Sequence, residues 1–476
     1  MAREGGARAR TSAGMKPGGQ TGVRLRRAAF GLAVALALVL VSAAPPHAAA
    51  ADASLVVAAL RIAEREYFRA LDPIALLNAA ITSLRSRAAL DGNALPDIPA
   101  GTAEEEAVRL FTAEFAQAET AASASEPEFV YAVTQAMLAS VHDSHVRFMT
   151  PAQYAEFRDS LAGRSAYGGI GVRTTFPDGA DGPFVAAVVP ESPAAAAGVK
   201  VFDQILAADG VPFKGGSASE VVSRLRGPAG STVLLRVRRR GATLDLPVTR
   251  AVIHTPAVEA QTIRPGVAYV RIWGFSRGAA VEARRALEVL RVTGAIRAVV
   301  LDLRGNPGGF VIEAEWIAGL FVPAGTVLAH THTAAASGEF VASGDALLPS
   351  VPLALLTDRG SASGAEILAI GLRDANRAII VGETTAGAFG GARDFPLPEG
   401  GILVTTRALT GPRDEAIEGR GIAPDRAVAI TVDDLLRGDD VQLETALSLL
   451  GAAVAPHRPV RLRSAVGRAL SLAPAA

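Results

Sequence analysis

The chain has 476 residues, half of them hydrophobic and one fifth charged, a composition typical of a globular protein too long for one hydrophobic core. Its 47 basic and 47 acidic residues balance, and no basic stripe is interleaved with aromatic residues, so the sequence predicts no nucleic-acid partner. Cysteine is absent, which excludes disulfides, thiolate metal sites and cysteine nucleophiles.

The first fifty residues have the three-part layout of a secretory signal. Arg24, Arg26 and Arg27 precede an apolar run over 28–44, and small residues at 48–50 offer a cleavage site. The run is at the short end of the about 17 to 25 residues that a membrane-spanning helix needs. We therefore predict a signal peptide over 1–50 and an exported, periplasmic or extracellular protein. An uncleaved segment would instead associate the protein with a membrane.

Four further regions follow in chain order. Apolar residues recur at helical spacing from 55 to about 161, which predicts a helical N-terminal region over 52–166. Glycine-rich turns and short segments in which apolar and polar residues alternate predict a small β-rich domain over 167–253. Over 254–435, predicted strands at 267–272, 296–303 and 351–356 alternate with helices, one of them from about 363 to 375, which predicts an α/β core with parallel strands. Residues 436–476 are predicted to form a C-terminal tail with one helix near 441–450.

Two segments of the core could carry chemistry. Ser363 lies where a predicted strand ends and a helix begins, and a helix N-terminus offers unpaired N–H donors to a developing oxyanion. Ser363 and Glu366 are three residues apart, however, so they could equally form the capping box of an ordinary helix. Gly308 and Gly309, in LDLRGNPGG, could bring backbone close to a substrate carbonyl or form only a tight turn. The residues alone leave both alternatives open.

Several segments, in this order, resemble the C-terminal processing (tail-specific) serine peptidases. HDSHVRFMTPAQYAEF (142–157) is similar to their helical region, GGIGV (168–172) to their PDZ domain, and LDLRGNPGG, GSASGAE, VGETTAG and EGRGIAPD to their peptidase core. The resemblance covers about residues 55–430, and four core motifs in order are far more specific than one. It implies a multidomain α+β fold: a helical N-terminal region, a β-rich PDZ domain over 167–253 and an α/β core of the ClpP/crotonase-like type over 254–435.

The resemblance also implies roles for single residues. It makes Ser363 the nucleophile and assigns the oxyanion hole to the backbone N–H of Gly364 and of Gly308 or Gly309. The well-known members use a lysine base 25 residues after the serine, but that position holds Ala388, and no lysine follows Lys214. Arginine cannot replace it, because a guanidinium does not release its proton in an accessible pH range.

The core motifs are closer to the tricorn-like and interphotoreceptor-retinoid-binding-like branch, in which a histidine activates the serine and a glutamate orients it. The matching residues are His145 and Glu418, and an imidazole has a suitable pKa for a general base. Alone, His145 would be read as a surface histidine and Glu418 as a solvated turn residue. His142 is the reserve base, placed on the same helical face as His145 if that segment is helical. Glu366 and Asp374 match polar positions of the lysine-dependent members, and could be surface carboxylates of a helix.

Gly169, Ile170, Gly171 and Val172 match the family's carboxylate-binding loop. The resemblance implies that the following strand pairs with a peptide whose C-terminal carboxylate is received by the loop amides. A purely structural β-rich module is the alternative.

No cofactor is expected. His330 and His332 could share one face of a strand, but without a third ligand at sensible spacing they predict no metal site.

We therefore predict an exported serine endopeptidase acting on protein or peptide substrates with free C-termini. Two alternatives belong to other classes: a catalytically inactive PDZ scaffold, and a relative that binds an apolar ligand in its core. The peptidase is favoured because Ser363, the glycine turn and a suitable histidine occur together, which a decayed scaffold would not need.

Overall fold

The computed structural model describes residues 53–122, 127–164, 166–177 and 179–451, so the predicted signal peptide and residues 452–476 lie outside it. The helical N-terminal region is confirmed. Its elements are α1 (Ala53–Glu66), α2 (Pro73–Ala88), α3 (Glu104–Ala122), α4 (Pro127–Ala139), β1 (Arg147–Met149) and α5 (Pro151–Leu161). Local sequence fixes several ends: Asp72 accepts the first amides of α2, with a proline next to it, and Thr150 and Gln153 form a capping box at the start of α5.

The β-rich domain is built on a mostly antiparallel sheet of short strands. Its elements are β2 (Ala166–Gly169), β3 (Val172–Thr175), β4 (Phe184–Val188), α6 (Pro193–Ala196), β5 (Gln204–Ala208), β6 (Val211–Pro212), α7 (Ala218–Leu225), β7 (Thr232–Arg239), β8 (Ala242–Thr249) and β9 (Ala251–His254). The sheet order is β3-β4-β5-β7-β8, with β6 beside β5, and β2 pairs separately with β9. Strand β3 is therefore an edge strand, with one side open to a further strand.

The remaining described residues form the core. Its elements are β10 (Val258–Arg264), β11 (Val267–Ile272), α8 (Ala279–Thr293), β12 (Ala298–Asp302), α9 (Val311–Ala318), β13 (Val327–His332), β14 (Ser337–Val341), β15 (Leu353–Thr357), α10 (Gly364–Asp374), β16 (Ile379–Gly382), β17 (Gly390–Pro396), β18 (Gly401–Thr410), β19 (Arg426–Ala427), α11 (Val432–Arg437) and α12 (Val441–Leu449).

One core sheet has the order β10-β11-β12-β15-β16-β19 and is parallel from β11 onward. Every residue of β11, β12 and β15 is buried, because α8, α9 and α10 cover one face and α12 packs on the other. Leu443, Ala446 and Leu447 of α12 pack against this sheet. The predicted boundary at 435 placed this helix in a C-terminal tail, and that assignment is wrong for residues 441–449.

A second sheet joins the helical region to the core. Its order is β1-β18-β13-β14, and β17 pairs with the opposite edge of β18. Strand β1 pairs with β18 through Arg147, Phe148 and Met149. This pairing fixes the loop before β1, residues 140–146, against the core. Within the described ranges, no helix is long and apolar enough to cross a lipid bilayer.

Candidate active site

Ser363 stands between β15 and α10, and its backbone is strained. Its φ of 54° and ψ of −116° lie in a region that non-glycine residues rarely adopt. The Ser363 N–H donates to Glu366 Oε2 (2.9 Å), and the Glu366 N–H donates to the Ser363 carbonyl oxygen (2.8 Å). Glu366 therefore does cap this helix end. A cap alone does not require a positive φ, so the strain points to a second demand on Ser363.

The glycine turn after β12 packs directly on Ser363. Gly308 has a φ of 94°, and a Cβ added to it would lie 2.7 Å from Ser363 Cβ. The Gly308 N–H donates to Oδ1 of the buried Asn306 (2.8 Å). The amides of Gly309 and Gly364 donate to no acceptor in the described part of the chain, and the Gly309 nitrogen lies 3.7 Å from the point where a Cβ on Gly364 would stand. Gly309, rather than Gly308, is thus left with a free donor beside Gly364.

Glu366 ties a second segment, residues 385–390, to Ser363. Its carboxylate is fully buried and accepts the N–H of Gly387 (2.8 Å) and of Ala388 (3.0 Å) as well as that of Ser363. Burial raises the pKa of Glu366, and these hydrogen bonds oppose the rise. The alternative that Glu366 is only a helix-surface carboxylate is wrong. The Ala388 carbonyl accepts the Ser363 N–H (3.0 Å). The alanine that stands where related enzymes have their lysine is therefore hydrogen-bonded to the serine.

His145 lies in the loop between α4 and β1 and is only 8% exposed. Its Nδ1 is 2.9 Å from Ser144 Oγ. A Cβ added to Gly390 would lie 3.1 Å from Nδ1, so the ring rests on a glycine. Gly390 is two residues after Ala388, a span of about 7 Å at most. The segment that is hydrogen-bonded to Ser363 therefore also contacts the His145 ring. No hydrogen bond joins the ring to Ser363 Oγ, and such bonds often form only with substrate.

Asp143 anchors the His145 loop, and sequence analysis did not identify it. Its carboxylate accepts the His145 N–H (2.9 Å), the Thr405 hydroxyl of β18 (2.6 Å) and the Tyr67 hydroxyl after α1 (3.1 Å). Asp143 and Ser144 directly precede His145 in the motif HDSH, a signal that could have been noticed. Thr405 and Tyr67 are far away in sequence, and no local pattern indicates them.

Burial and the charged groups around His145 shift its pKa in opposite directions. Burial lowers the pKa of His145 below its usual value and Arg147 acts the same way, while the negative charges of Asp143 and Glu418 oppose the decrease. Burial, reinforced by Asp143, raises the pKa of Tyr67 to about 12. The lowered pKa favours the neutral imidazole, which is the protonation state of a general base.

Glu418 lies near His145 without touching it. The residue is exposed, and its Oε2 accepts the Phe389 N–H (2.5 Å), one residue before Gly390. No hydrogen bond or ion pair links Glu418 to the imidazole, whose Nδ1 partner is Ser144. The sequence motifs did not indicate Ser144 in this position.

The other polar candidates lie apart from this cluster. Helix α4 ends at Ala139 and His142 is exposed with a φ of 55°, so the expected shared helical face with His145 is wrong. Asp374 ends α10, opposite Ser363, and its side chain is only 2% exposed and paired with Arg373, so it is not a surface carboxylate either. His330 and His332 lie on β13 near Pro412 and Thr410. Within the ranges that the structure describes, no group of three or more candidate metal ligands occurs.

The predicted carboxylate loop connects β2 to β3. Gly169 ends β2, Val172 begins β3, and the carbonyls of Ile170 and Gly171 accept the amides of Ala194 (2.8 Å) and Val189 (2.9 Å). The amides of Ile170 and Gly171 themselves have no acceptor among the described residues. Gly171 has a φ of 81°, and a Cβ there would lie 2.3 Å from Ser192 Cβ, so only glycine fits. Two backbone donors are thus free beside an open strand edge.

The free sheet edge of the β-rich domain suits an extended peptide, and the strained serine of the parallel α/β core suits a reactive side chain, so the two together point to a PDZ-containing peptidase. Comparison with known families supports this class. Residues 184–239 match the PDZ domain, and residues 266–428 match Peptidase family S41.

Individual relatives give the family. The chain is 34% identical over 338 residues to the carboxyl-terminal-processing protease of Synechocystis sp., covering 69% of this chain and 78% of that protein. It is 34% identical over 329 residues to the protein of that name from Picosynechococcus sp., covering 67% and 78%. The solved photosystem II D1 C-terminal processing protease has a TM-score of 0.50 and 25% identity, covering 86% of this chain and 99% of that one. The protein belongs to the carboxyl-terminal-processing proteases of Peptidase family S41, the family that the order of its motifs predicted; the closer likeness of the core motifs to the tricorn-like branch stays a prediction.

Proposed function

We propose that this protein is a serine endopeptidase that selects protein or peptide substrates through their free C-termini, with Ser363 as nucleophile and His145 as general base. The observation that carries the proposal is the strained Ser363 beside the free amides of Gly309 and Gly364. Strain of this kind is found where a side chain must be presented to a reaction. The names of the relatives support the substrate class, since they process carboxyl termini.

The chemistry follows from the positions of these groups. His145 takes the Ser363 Oγ proton while Oγ bonds to the scissile carbonyl carbon, and the resulting oxyanion is stabilised by the N–H groups of Gly309 and Gly364. The imidazolium then gives its proton to the leaving amine as the C–N bond breaks. Water repeats the sequence on the acyl-enzyme and releases the carboxylate product.

Ser144 and Glu418 orient and stabilise the base in this proposal. Because Ser144 Oγ contacts Nδ1 (2.9 Å), Nε2 is the ring nitrogen left to exchange a proton with Ser363. The negative charge of Glu418 favours the imidazolium that forms during attack, although the carboxylate makes no contact with the ring. Glu418 acts here as an electrostatic and positioning residue.

The loop from Gly169 to Val172 is proposed to bind the substrate C-terminus. A peptide would add a strand to the open edge of β3, and the free amides of Ile170 and Gly171 would receive its terminal carboxylate.

Export is also part of the proposal. It is supported only by the basic, apolar and small-residue order of residues 24–50, and the intact mass of the protein from its host should show a start near Ala51. Retention of residues 1–50 in a membrane fraction would indicate an anchor instead.

Labelling with a fluorophosphonate probe tests the nucleophile without knowledge of the substrate. The protein should be labelled, Ser363→Ala should not be, and Ser361→Ala should retain labelling because the Ser361 hydroxyl donates to the Leu303 carbonyl (2.8 Å) in the interior. The alternative of an inactive PDZ scaffold is favoured by one observation, the alanine at position 388 where related enzymes have their lysine. An unlabelled protein that still binds peptides would select the scaffold.

A further inference from the structure

A cleft of about 310 Å³ lies along the open edge of β3. One wall is formed by the carboxylate loop and by Val222 and Leu225 at the end of α7. The lining also includes α5 of the helical region and the turn at Pro307, Gly308 and Gly309. A peptide paired with β3 would therefore lie between the PDZ domain, the helical region and the glycine turn of the core.

Two arginines and one glutamate line this cleft: Arg173, Arg226 and Glu156. Arg173 is committed to the core, since it donates to the Gly305 carbonyl and its guanidinium lies over the Trp273 ring, 5.3 Å from the centroid. Arg226 is held differently. Among the described residues, the only hydrogen-bond partner of the Arg226 guanidinium is Glu156 Oε1 of α5 (2.9 Å).

Arg226 lies immediately beside the carboxylate loop. Its Cα is 3.7 Å from the point where a Cβ on Gly169 would stand, and its guanidinium lies 4.7 Å from the ring centroid of Tyr167. The Arg226 and Glu156 side chains are 43% and 49% exposed. An ion pair so exposed to water is weak, so another carboxylate could replace Glu156.

We propose that Arg226 binds the terminal carboxylate of the peptide, and that Glu156 occupies Arg226 when no peptide is bound. The inference rests on the proposed function of the loop and adds to it a charged residue and a competitor. A peptide carboxylate would accept hydrogen bonds from the Ile170 and Gly171 amides together with the guanidinium, whereas Glu156 reaches only the guanidinium. The peptide therefore displaces Glu156, and its binding breaks a link between the PDZ domain and α5.

Calorimetric titration of the full chain carrying Ser363→Ala tests this without hydrolysis. The probes are one peptide ending in an apolar residue with a free C-terminus and the same peptide amidated. Arg226→Gln should weaken binding of the free peptide about tenfold and leave the amidated peptide unchanged, as expected for loss of one charge-assisted hydrogen bond. Arg226→Lys should recover part of the loss. Glu156→Gln should strengthen binding of the free peptide about two- to fivefold.

Matched controls separate a local from a general charge effect. Arg224→Gln removes a neighbouring arginine that pairs with Glu220 (3.5 Å), and Asp159→Asn removes an acid of α5 that pairs with Arg164 (3.0 Å). Neither should change the ratio of free to amidated affinity. An unchanged ratio in Arg226→Gln, or no gain in Glu156→Gln, overturns the proposal. Equal affinities for the two peptides in the Ser363→Ala chain would instead refute the carboxylate loop itself, while fluorophosphonate labelling reports separately on the nucleophile.

Discussion

Replacing His145 by glutamine removes the proposed base while preserving a group that can bond to Ser144. Glutamine fills much of the buried site, which is only 8% exposed, but it cannot accept a proton at neutral pH. General bases contribute about a hundredfold to ten-thousandfold to the rate. Neither Glu418, bonded to the Phe389 amide, nor Ala388 can replace it at Ser363, so we expect kcat/KM to fall within that range.

The dependence on pH tests the same assignment independently. Catalysis requires neutral His145, and burial lowers its pKa, so activity should rise with pH at a value below the ordinary histidine pKa of about 6.5. The activity should then be constant through neutral pH. A lysine base would place the rise at higher pH. The same decrease makes the folded state bind this proton less readily than the unfolded state, so the stability of the fold should decrease as the pH falls below about 6.5.

The assay is hydrolysis of a fluorogenic peptide with a free C-terminus, measured from acidic to alkaline pH for each variant. Ser363→Ala, His145→Gln and the double variant should have nearly equal residual rates, because a nucleophile and its base act as one unit. Circular dichroism should show that His145→Gln remains folded. A folded His145→Gln variant that retains more than about a tenth of the activity, or a rise only at alkaline pH, would refute the histidine base.

Three further variants test the surroundings of the site. Asp143→Asn removes one of the charges that oppose the decrease in the His145 pKa, so the rise in activity should move to lower pH, with kcat reduced more than KM is changed; an unmoved profile would argue against this role. Gly308→Ala should abolish activity, since its Cβ would lie 2.7 Å from Ser363 Cβ, and an active, folded variant would contradict the packing. Glu366→Gln should lower the free energy of unfolding in urea by about 1–3 kcal/mol, because an amide NH₂ faces backbone N–H donors; equal stability would show that Glu366 does not fasten this segment.

The regular elements of the core were largely predictable because their signals are local. The strand expected at 267–272 is β11, and the helix expected over about 363–375 is α10, Gly364–Asp374. A continuous apolar run bounded by glycines or polar residues is sufficient to indicate a buried strand. Helix α12 was assigned to a tail because its partner, the sheet face that includes Val300 and Leu356, is far away in sequence.

The candidate site was predictable in its chemistry and not in its contacts. Motifs indicated Ser363 and His145, but only the fold shows that Asp143 binds Tyr67 and Thr405, which come from opposite ends of the chain. The preference for Gly309 over Gly308 likewise depends on one hydrogen bond from the Gly308 amide to Asn306. Such pairings are set by tertiary packing, and neither spacing nor hydropathy records them.

The absent lysine and the present histidine are linked through one short segment. The Ala388 carbonyl accepts the Ser363 N–H, and the Phe389 N–H donates to the Glu418 carboxylate. Gly390, the next residue, packs against the His145 ring. A side chain at 390 would begin 3.1 Å from Nδ1 and push the imidazole away, so glycine there is a condition for the histidine to approach. At 388 a lysine would extend from backbone already bonded to the serine. With alanine at 388 and glycine at 390, this segment has no base of its own and leaves space for one supplied by the helical region, the arrangement that the proposed mechanism requires.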